Sequence, residues 1–427
     1  MKVLLALGLN SLLLLWLGRW LWQQRLDAAV GAWLGPALAF KLLATVASVI
    51  MLSYDAALYH QWGNWLNDHA WRETQDWLRL LGQDSLHLGE RTFLTRGLSN
   101  TLFFIKLLSL LNFASAGIVW LNALYVSLFS FIGSWQLVRV LARRFPATTP
   151  SAAAVAFLVW PSVVFWTSGL TKEALLVGAA AWLLALVVDA SYQTERPLRP
   201  GQLLGMLLLT FLVVKMRYFF AVFLLLALAV LVLIRVGQRR GLLQRRWLQV
   251  GVLVVILGLG VLMAGRVSHV FTGAKFSREL MRNYNGLLTR SAGRPHIEYP
   301  GLEPTVPSVS RYAPLAVGNA LMRPYLTESV SPRYFLAALE NIVLLVVLVT
   351  CVWAVVRGRG GQLPFALVLL LLFYCLVVAL LIGLTTPNLG TLNRYRVSFL
   401  PFLLLLLLQN DYAARWLRRL PWPKRQG

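Results

Sequence analysis

The chain has 427 residues, 58% of them hydrophobic and only 13% charged, with a mean hydropathy of +0.67. A soluble domain averages about 25% charged and 45–50% apolar residues, so a soluble enzyme is excluded. Lys and Arg number 40 against 16 Asp and Glu, a formal charge of +24; on so apolar a chain, basic residues belong in short loops at one membrane face and against anionic headgroups, and no nucleic-acid partner is implied.

A membrane span needs about 20 mostly apolar residues. In chain order such stretches fall at 35–53, 117–138, 150–168, 173–190, 202–217, 218–235, 248–265, 336–356, 363–384 and 397–410. The stretch 3–22 is also apolar but carries Asn10 and Arg19. It reads as an uncleaved first helix; a signal peptide is the alternative, because AAVGA at 28–32 has the small residues of a cleavage region. Residues 97–113 carry Lys106 and Asn112 and are expected to lie in the interface without crossing. The expected fold is all-α and polytopic, a single transmembrane domain over 1–427 with about 10–12 spans.

Basic connectors set the sidedness. Arg143-Arg144, Arg196 with Arg199, Arg239-Arg240, Arg245-Arg246, and Arg357 with Arg359 punctuate short loops, and the tail adds Arg415, Arg418, Arg419, Lys424 and Arg425. The positive-inside rule puts these in the cytoplasm. The connectors 53–116, 169–172, 216–218, 266–335 and 385–396 then lie outside. In the first, Trp62, Trp65, Trp71 and Trp77, with Leu58, Leu66, Leu78 and Leu81, predict an interfacial amphipathic helix. The second holds seven of the chain's 18 prolines and predicts an irregular cap.

Five polar features map to that outer side. Ser53-Tyr54-Asp55, leading into a segment with His60, ends a span on a carboxylate; an ordinary helix-end Asp is the plain alternative. WPSVVFWTSGLTKEALL at 160–176 combines a Pro161 kink and a Ser168-Gly169 turn with Lys172-Glu173, which could equally be a snorkelling lysine and a dipole-matched glutamate. Lys215-Met216-Arg217-Tyr218 forms a cationic hairpin tip that positive-inside bias does not explain. The fourth runs from Asn319 through Arg323 to Glu328, just before the span holding Glu340-Asn341. The fifth, from Thr385 through Asn388 and Gly390 to Arg396, offers Arg394 and Arg396, whose guanidinium forks suit phosphate oxygens. Residues two apart on a helix point apart, so these two converge only where the backbone near Asn393 is not helical.

No HExxH, P-loop, GxSxG or dinucleotide fingerprint is present. His60, His69, His87, His269 and His296 show no metal-ligand spacing, and Cys351 and Cys375 sit in apolar runs without a CxxC motif.

The order of these features resembles the GT-C superfamily of integral-membrane glycosyltransferases. The resemblance rests on Asp55 after an early span, the weakly hydrophobic return from Phe103 to Leu111, and the span closing at Arg143-Arg144-Phe145-Pro146. The 160–176 stretch, RPYLTE at 323–328, ALEN at 338–341 and GTLNRYRVSFLPFL at 390–403 resemble uncharacterised proteins found with bacterial surface-polysaccharide genes. It implies a polyprenyl-phosphate-linked sugar donor, a glycan or lipid-linked acceptor, and a site on the extracytoplasmic side of a bacterial inner membrane, among membrane lipids. Asp55 would be the general base of an inverting transfer. Arg394, Arg396 and either Arg217 or Lys172 would hold the donor phosphate. Tyr54, His60, Glu173, Arg323, Glu328 and Asn388 would support them. GT-C members often pair acidic residues in the first loop, whereas this chain offers Asp55 with Asp68 thirteen residues on; no cofactor is therefore required, and a divalent metal stays an open alternative. A polysaccharide polymerase or ligase of the O-antigen type is the rival reading. A transporter ranks third, because the charges gather at one interface instead of the midplane.

Overall fold

The computed structural model describes residues 1–88, 91–94, 99–193, 199–267 and 273–419. Arg196, His269, Lys424 and Arg425 lie outside the described residues. The chain is nearly all helical. It runs α1 (Lys2–Arg25), α2 (Gly31–Ile50), α3 (Tyr54–Arg72), α4 (Thr74–Gly82), a small hairpin β1 (Ser85–Leu88) and β2 (Arg91–Leu94), then α5 (Asn100–Ser115) and α6 (Val119–Arg144). Next come α7 (Pro150–Ala154), α8 (Pro161–Trp166), α9 (Lys172–Tyr192), α10 (Pro200–Met216), α11 (Tyr218–Arg239) and α12 (Arg246–Val267). The last third is α13 (Gly273–Thr289), α14 (Val306–Met322), α15 (Pro332–Val356), α16 (Phe365–Thr385), α17 (Leu389–Tyr395), α18 (Leu400–Leu407) and α19 (Asp411–Leu417).

Seven helices among the described residues, α1, α2, α6, α9, α11, α15 and α16, are long and apolar enough to cross a membrane. The chain is a polytopic membrane protein. The remaining expected spans are shorter or broken. Helix α10 has 17 residues, and the apolar part of α12 ends at Gly260. The 150–168 stretch breaks in two at Pro161. Ahead of it the chain widens into a π turn at 155–159, and Pro161, which lacks an N–H, starts α8 at a position where none is needed.

Polar contacts sort the helix ends onto two faces. On one, Gln24 accepts from Trp135 and Arg139, Asp189 accepts from Arg143 and Arg144, and Arg239 donates to the Ser191 and Gln193 carbonyls. Gln409 and Asp411 extend this face to Thr149 and Arg359. On the other, Lys2 reaches Asp68, and Asn10 of α1 donates to the Ala114 carbonyl. Sixteen residues of α9 separate Glu173 from Asp189, about 24 Å at 1.5 Å per residue, against a hydrocarbon core of about 30 Å.

Helix α5 does not reach the basic face. Asn100 at its start bonds the Met216 carbonyl, and Asn112 near its end accepts from Asn122 in the first turn of α6. The tryptophans of α3 and α4 differ from the interfacial reading. Trp62 and Trp77 are buried, and Trp71 and Trp77 pack on Phe113 of α5, so much of the aromatic face meets protein. The proline-rich region 266–335 is more ordered than expected, since it holds α13 and α14. Pro307 lies in the first turn of α14, and Pro314 is accommodated inside it.

Helices α6 and α9 form the centre. Small residues let their backbones approach closely, the usual basis of helix association where lipid removes the hydrophobic driving force. A Cβ on Gly133 would stand 2.1 Å from the Gly178 carbonyl oxygen. Gly133→Leu should therefore lower the thermal midpoint in detergent by several degrees, overpacking of this kind costing about 1–3 kcal/mol. Gly258→Leu on α12, where a new side chain meets no atom within 4 Å, should leave the midpoint unchanged; equal behaviour of the two variants would contradict the α6–α9 crossing.

Candidate functional site

Five sequence-predicted residues converge where four helix starts and one hairpin tip meet. Ser53 caps α3 by accepting from the Ala56 N–H, which leaves Asp55 in the first turn with its carboxylate half-exposed. Thr171 caps α9 in the same way through Ala174, placing Lys172 and Glu173 at its start. Arg217 is the single residue between α10 and α11. Asn388 caps α17 through the Thr391 N–H, and Arg394 lies in that helix's last turn.

Glu173 is buried and sits between two guanidiniums. Its Oε1 is 3.4 Å from Arg217 Nη2 and 3.5 Å from Arg394 Nε. Arg394 Nη1 also reaches Asp55 Oδ2 at 3.5 Å, so one arginine is shared by two carboxylates. Lys172 Nζ donates to Asn100 Oδ1 at 2.9 Å and to Thr101 Oγ1, and lies 4.8 Å from the centre of the Tyr59 ring. The Arg217 guanidinium stacks 3.9 Å from the Tyr395 ring centre. Three cations against two carboxylates leave the cluster with one net positive charge.

The fields within the cluster are visible in its phenols. Burial alone would raise the Tyr395 phenol, but Arg217 and Arg394 outweigh it and hold it below its ordinary value. Tyr59 is pushed up to about 12 by burial and the Asp55 carboxylate. Burial opposes the charge on Arg394, yet Glu173, Tyr395 and Asp55 together raise its pKa.

A cleft of about 540 Å³ opens beside the cluster, with Arg217, Tyr395 and Asn100 in its wall. Lys215, Arg282 and Arg290 add positive charge to its lining, while Phe219, Leu381 and Ile382 make part of it apolar.

Arg396 does not join the cluster. The segment 389–398 is helical, first α and then a 3₁₀ turn, so Arg394 and Arg396 point apart as residues two apart must. Arg396 is 1% exposed and donates to the Leu321 carbonyl, Asn341 Oδ1 and Asn393 Oδ1. Its role in this structure is to hold α14 and α15 against α17. Arg323 and Glu328 pair with each other, and Glu328 also accepts from the Tyr325 N–H. Tyr54 is exposed. His60 meets Asn64 on its own helix, and burial lowers its pKa. Asn388 acts through its cap.

Sequence reading missed Tyr59, Asn100, Thr101 and Tyr395. Tyr59 was findable, because it lies four residues from Asp55 on the same helix face. It also missed a possible ligand set: His69, Glu73 and Asp76 each bring one ligand atom within 4.8 Å of the others at the α3–α4 junction. The Asp55–Glu173 cluster contains no such set among the described residues.

Removing Arg396 and removing Arg394 should have opposite consequences. Arg396→Met strands Asn341 and a buried carbonyl, at about 1–3 kcal/mol per unsatisfied group, and should lower the detergent melting midpoint by several degrees. Arg394→Gln should melt like the parent protein, its contacts being long and partly exposed. No family model matches the chain, and no curated protein or solved structure is similar enough to assign it to a family.

Proposed function

We propose that this protein is a membrane glycosyltransferase that moves a sugar from a polyprenyl-phosphate donor to a glycan or lipid-linked acceptor, with Asp55 as general base and inversion at the anomeric carbon. The observation that carries the reading is the net-positive cluster of Asp55, Lys172, Glu173, Arg217 and Arg394 beside a cleft that is cationic on one part and apolar on another. That combination suits a ligand with a phosphate head and a hydrocarbon tail.

In this reading the donor phosphate lies against Arg394, Arg217 and Lys172. As the sugar–oxygen bond breaks, its electron pair leaves with the phosphate, and fixed cations stabilise the charge where it develops. The acceptor hydroxyl attacks the anomeric carbon from the opposite side and gives its proton to the Asp55 carboxylate. Asp55 begins paired with Arg394, so an arriving phosphate competes for that guanidinium and frees the base. The GT-C resemblance agrees with this assignment. A bacterial inner membrane with the cluster outside belongs to the same proposal.

Asp55→Asn tests the chemistry. Transfer from a polyprenyl-phosphate sugar should fall about 10²–10⁴-fold, while polyprenyl phosphate itself binds more tightly, because a competing carboxylate is gone. A variant keeping a tenth of the activity would exclude base catalysis at Asp55 and favour the polymerase or ligase reading. For sidedness, cysteines introduced at Gln83 and Gln244 in a Cys351→Ser background should label differently with an impermeant reagent added to intact cells. Gln83 should react and Gln244 should not; labelling of Gln244 would reverse the orientation.

A further inference from the structure

A second cation lies deep in the bundle, apart from the cluster. Lys41 of α2 is 4% exposed and stands nine residues before the helix end at Ile50, about 14 Å along the axis. Its ammonium meets oxygens only: the Thr167 carbonyl, Thr167 Oγ1 at 2.7 Å and Ser130 Oγ at 3.5 Å. No carboxylate pairs with it among the described residues. A charged side chain at membrane depth is costly, so its partners point to what it does.

Those partners belong to one turn. Helix α8 ends at Trp166 and leaves carbonyls without helical donors. At this depth water does not satisfy them. Lys41 takes the Thr167 carbonyl and Ser48 donates to the Ser168 carbonyl, while the Gly169 N–H donates to Ser127 Oγ at 2.8 Å. Gly169 has φ +76°, and a Cβ there would stand 2.1 Å from Ser48 Oγ, so the turn is tight and closely held. Thr171 then donates to the Trp166 carbonyl and caps α9. Lys172 and Glu173 follow at once.

We infer that Lys41 is a positioning residue: by capping the broken end of α8 it fixes the 167–171 turn and so sets Lys172 and Glu173 against Arg217, Arg394 and Asn100. Of the side chains anchoring this turn from α2 and α6, Lys41 alone carries a charge, and it supplies a donor to each of three oxygens. The inference rests on the proposed phosphate site only for its effect on binding; the effect on the turn stands apart from it.

The test uses the full chain in nanodiscs. Hydrogen exchange of Lys41→Met should accelerate at least tenfold in peptides covering 167–171, with α6 and the body of α9 unchanged. Affinity for polyprenyl monophosphate should fall about tenfold, and the same substitution in a Lys172→Ala background should add nothing further. Unchanged exchange at 167–171, or additive losses in the double variant, would overturn the inference. If the parent protein does not bind polyprenyl monophosphate, the glycosyltransferase reading fails and the exchange result alone decides the role of Lys41. If Lys41→Met does not fold, Thr167→Val, which removes one acceptor and keeps the lysine, should raise exchange in the same peptides; no change there overturns the inference as well.

Discussion

The structure depends on keeping backbone polar groups paired where the chain breaks its helices within the bundle. A continuous span satisfies its own N–H and C=O groups, but a broken one needs partners from elsewhere. Three charged side chains supply them. Glu340 of α15 accepts from the Ser162 N–H, the Ser162 hydroxyl and the Trp160 indole, and so caps the start of α8. Lys41 caps its end. Arg396 takes the Leu321 carbonyl at the close of α14, where Asn341 already holds the Met322 and Pro324 carbonyls. The expected functional reading of an intramembrane charge therefore gives way, at these positions, to a structural one that builds the floor of the site.

Contact length separates these charges from those of the cluster. Arg396 meets Asn393 at 2.8 Å and Leu321 at 3.1 Å, and Lys41 meets Thr167 Oγ1 at 2.7 Å. In the cluster the contacts among Asp55, Glu173, Arg217 and Arg394 all lie at 3.4–3.5 Å. Long, imperfect ion pairs contribute little to stability after desolvation. They do leave guanidinium donors available to a better acceptor, and a phosphate is such an acceptor. The same residue types thus serve two ends, and geometry distinguishes them.

How much of this was legible in the sequence follows from what sequence periodicity encodes. The apolar runs announced a polytopic helical chain, and the parity of basic loops required 97–113 to return without crossing, which α5 does. Asp55, Lys172, Glu173, Arg217 and Arg394 stood out because each interrupts or borders an apolar run. Arg394 and Arg396 looked equivalent for the same reason. Their difference is one of helix phase, and it emerged only because Pro387, Asn388 and Gly390 precede a helix instead of preventing one. Asn100 and Thr101 were hidden because Ser-Asn-Thr before an apolar run reads as ordinary capping. Lys41 was hidden by its surroundings: it sits alone in a strongly apolar segment, and its partners are 89 and 126 residues away.

The shared arginine also fixes which carboxylate yields. Arg394 is held by Glu173, whose side chain is 5% exposed, and by Asp55, whose side chain is 49% exposed. Separating Glu173 from Arg394 would leave a buried carboxylate with Arg217 alone, at a desolvation cost water does not offset. Separating Asp55 returns a carboxylate to solvent, where its hydration replaces a 3.5 Å contact. An anion entering the cluster therefore displaces Asp55 first and leaves the Glu173 pairing with both arginines in place. Glu173 becomes the fixed element that orients the guanidiniums, and Asp55 the one that is set free as the ligand binds. In a glycosyl transfer that order keeps the base weak until the donor phosphate is seated.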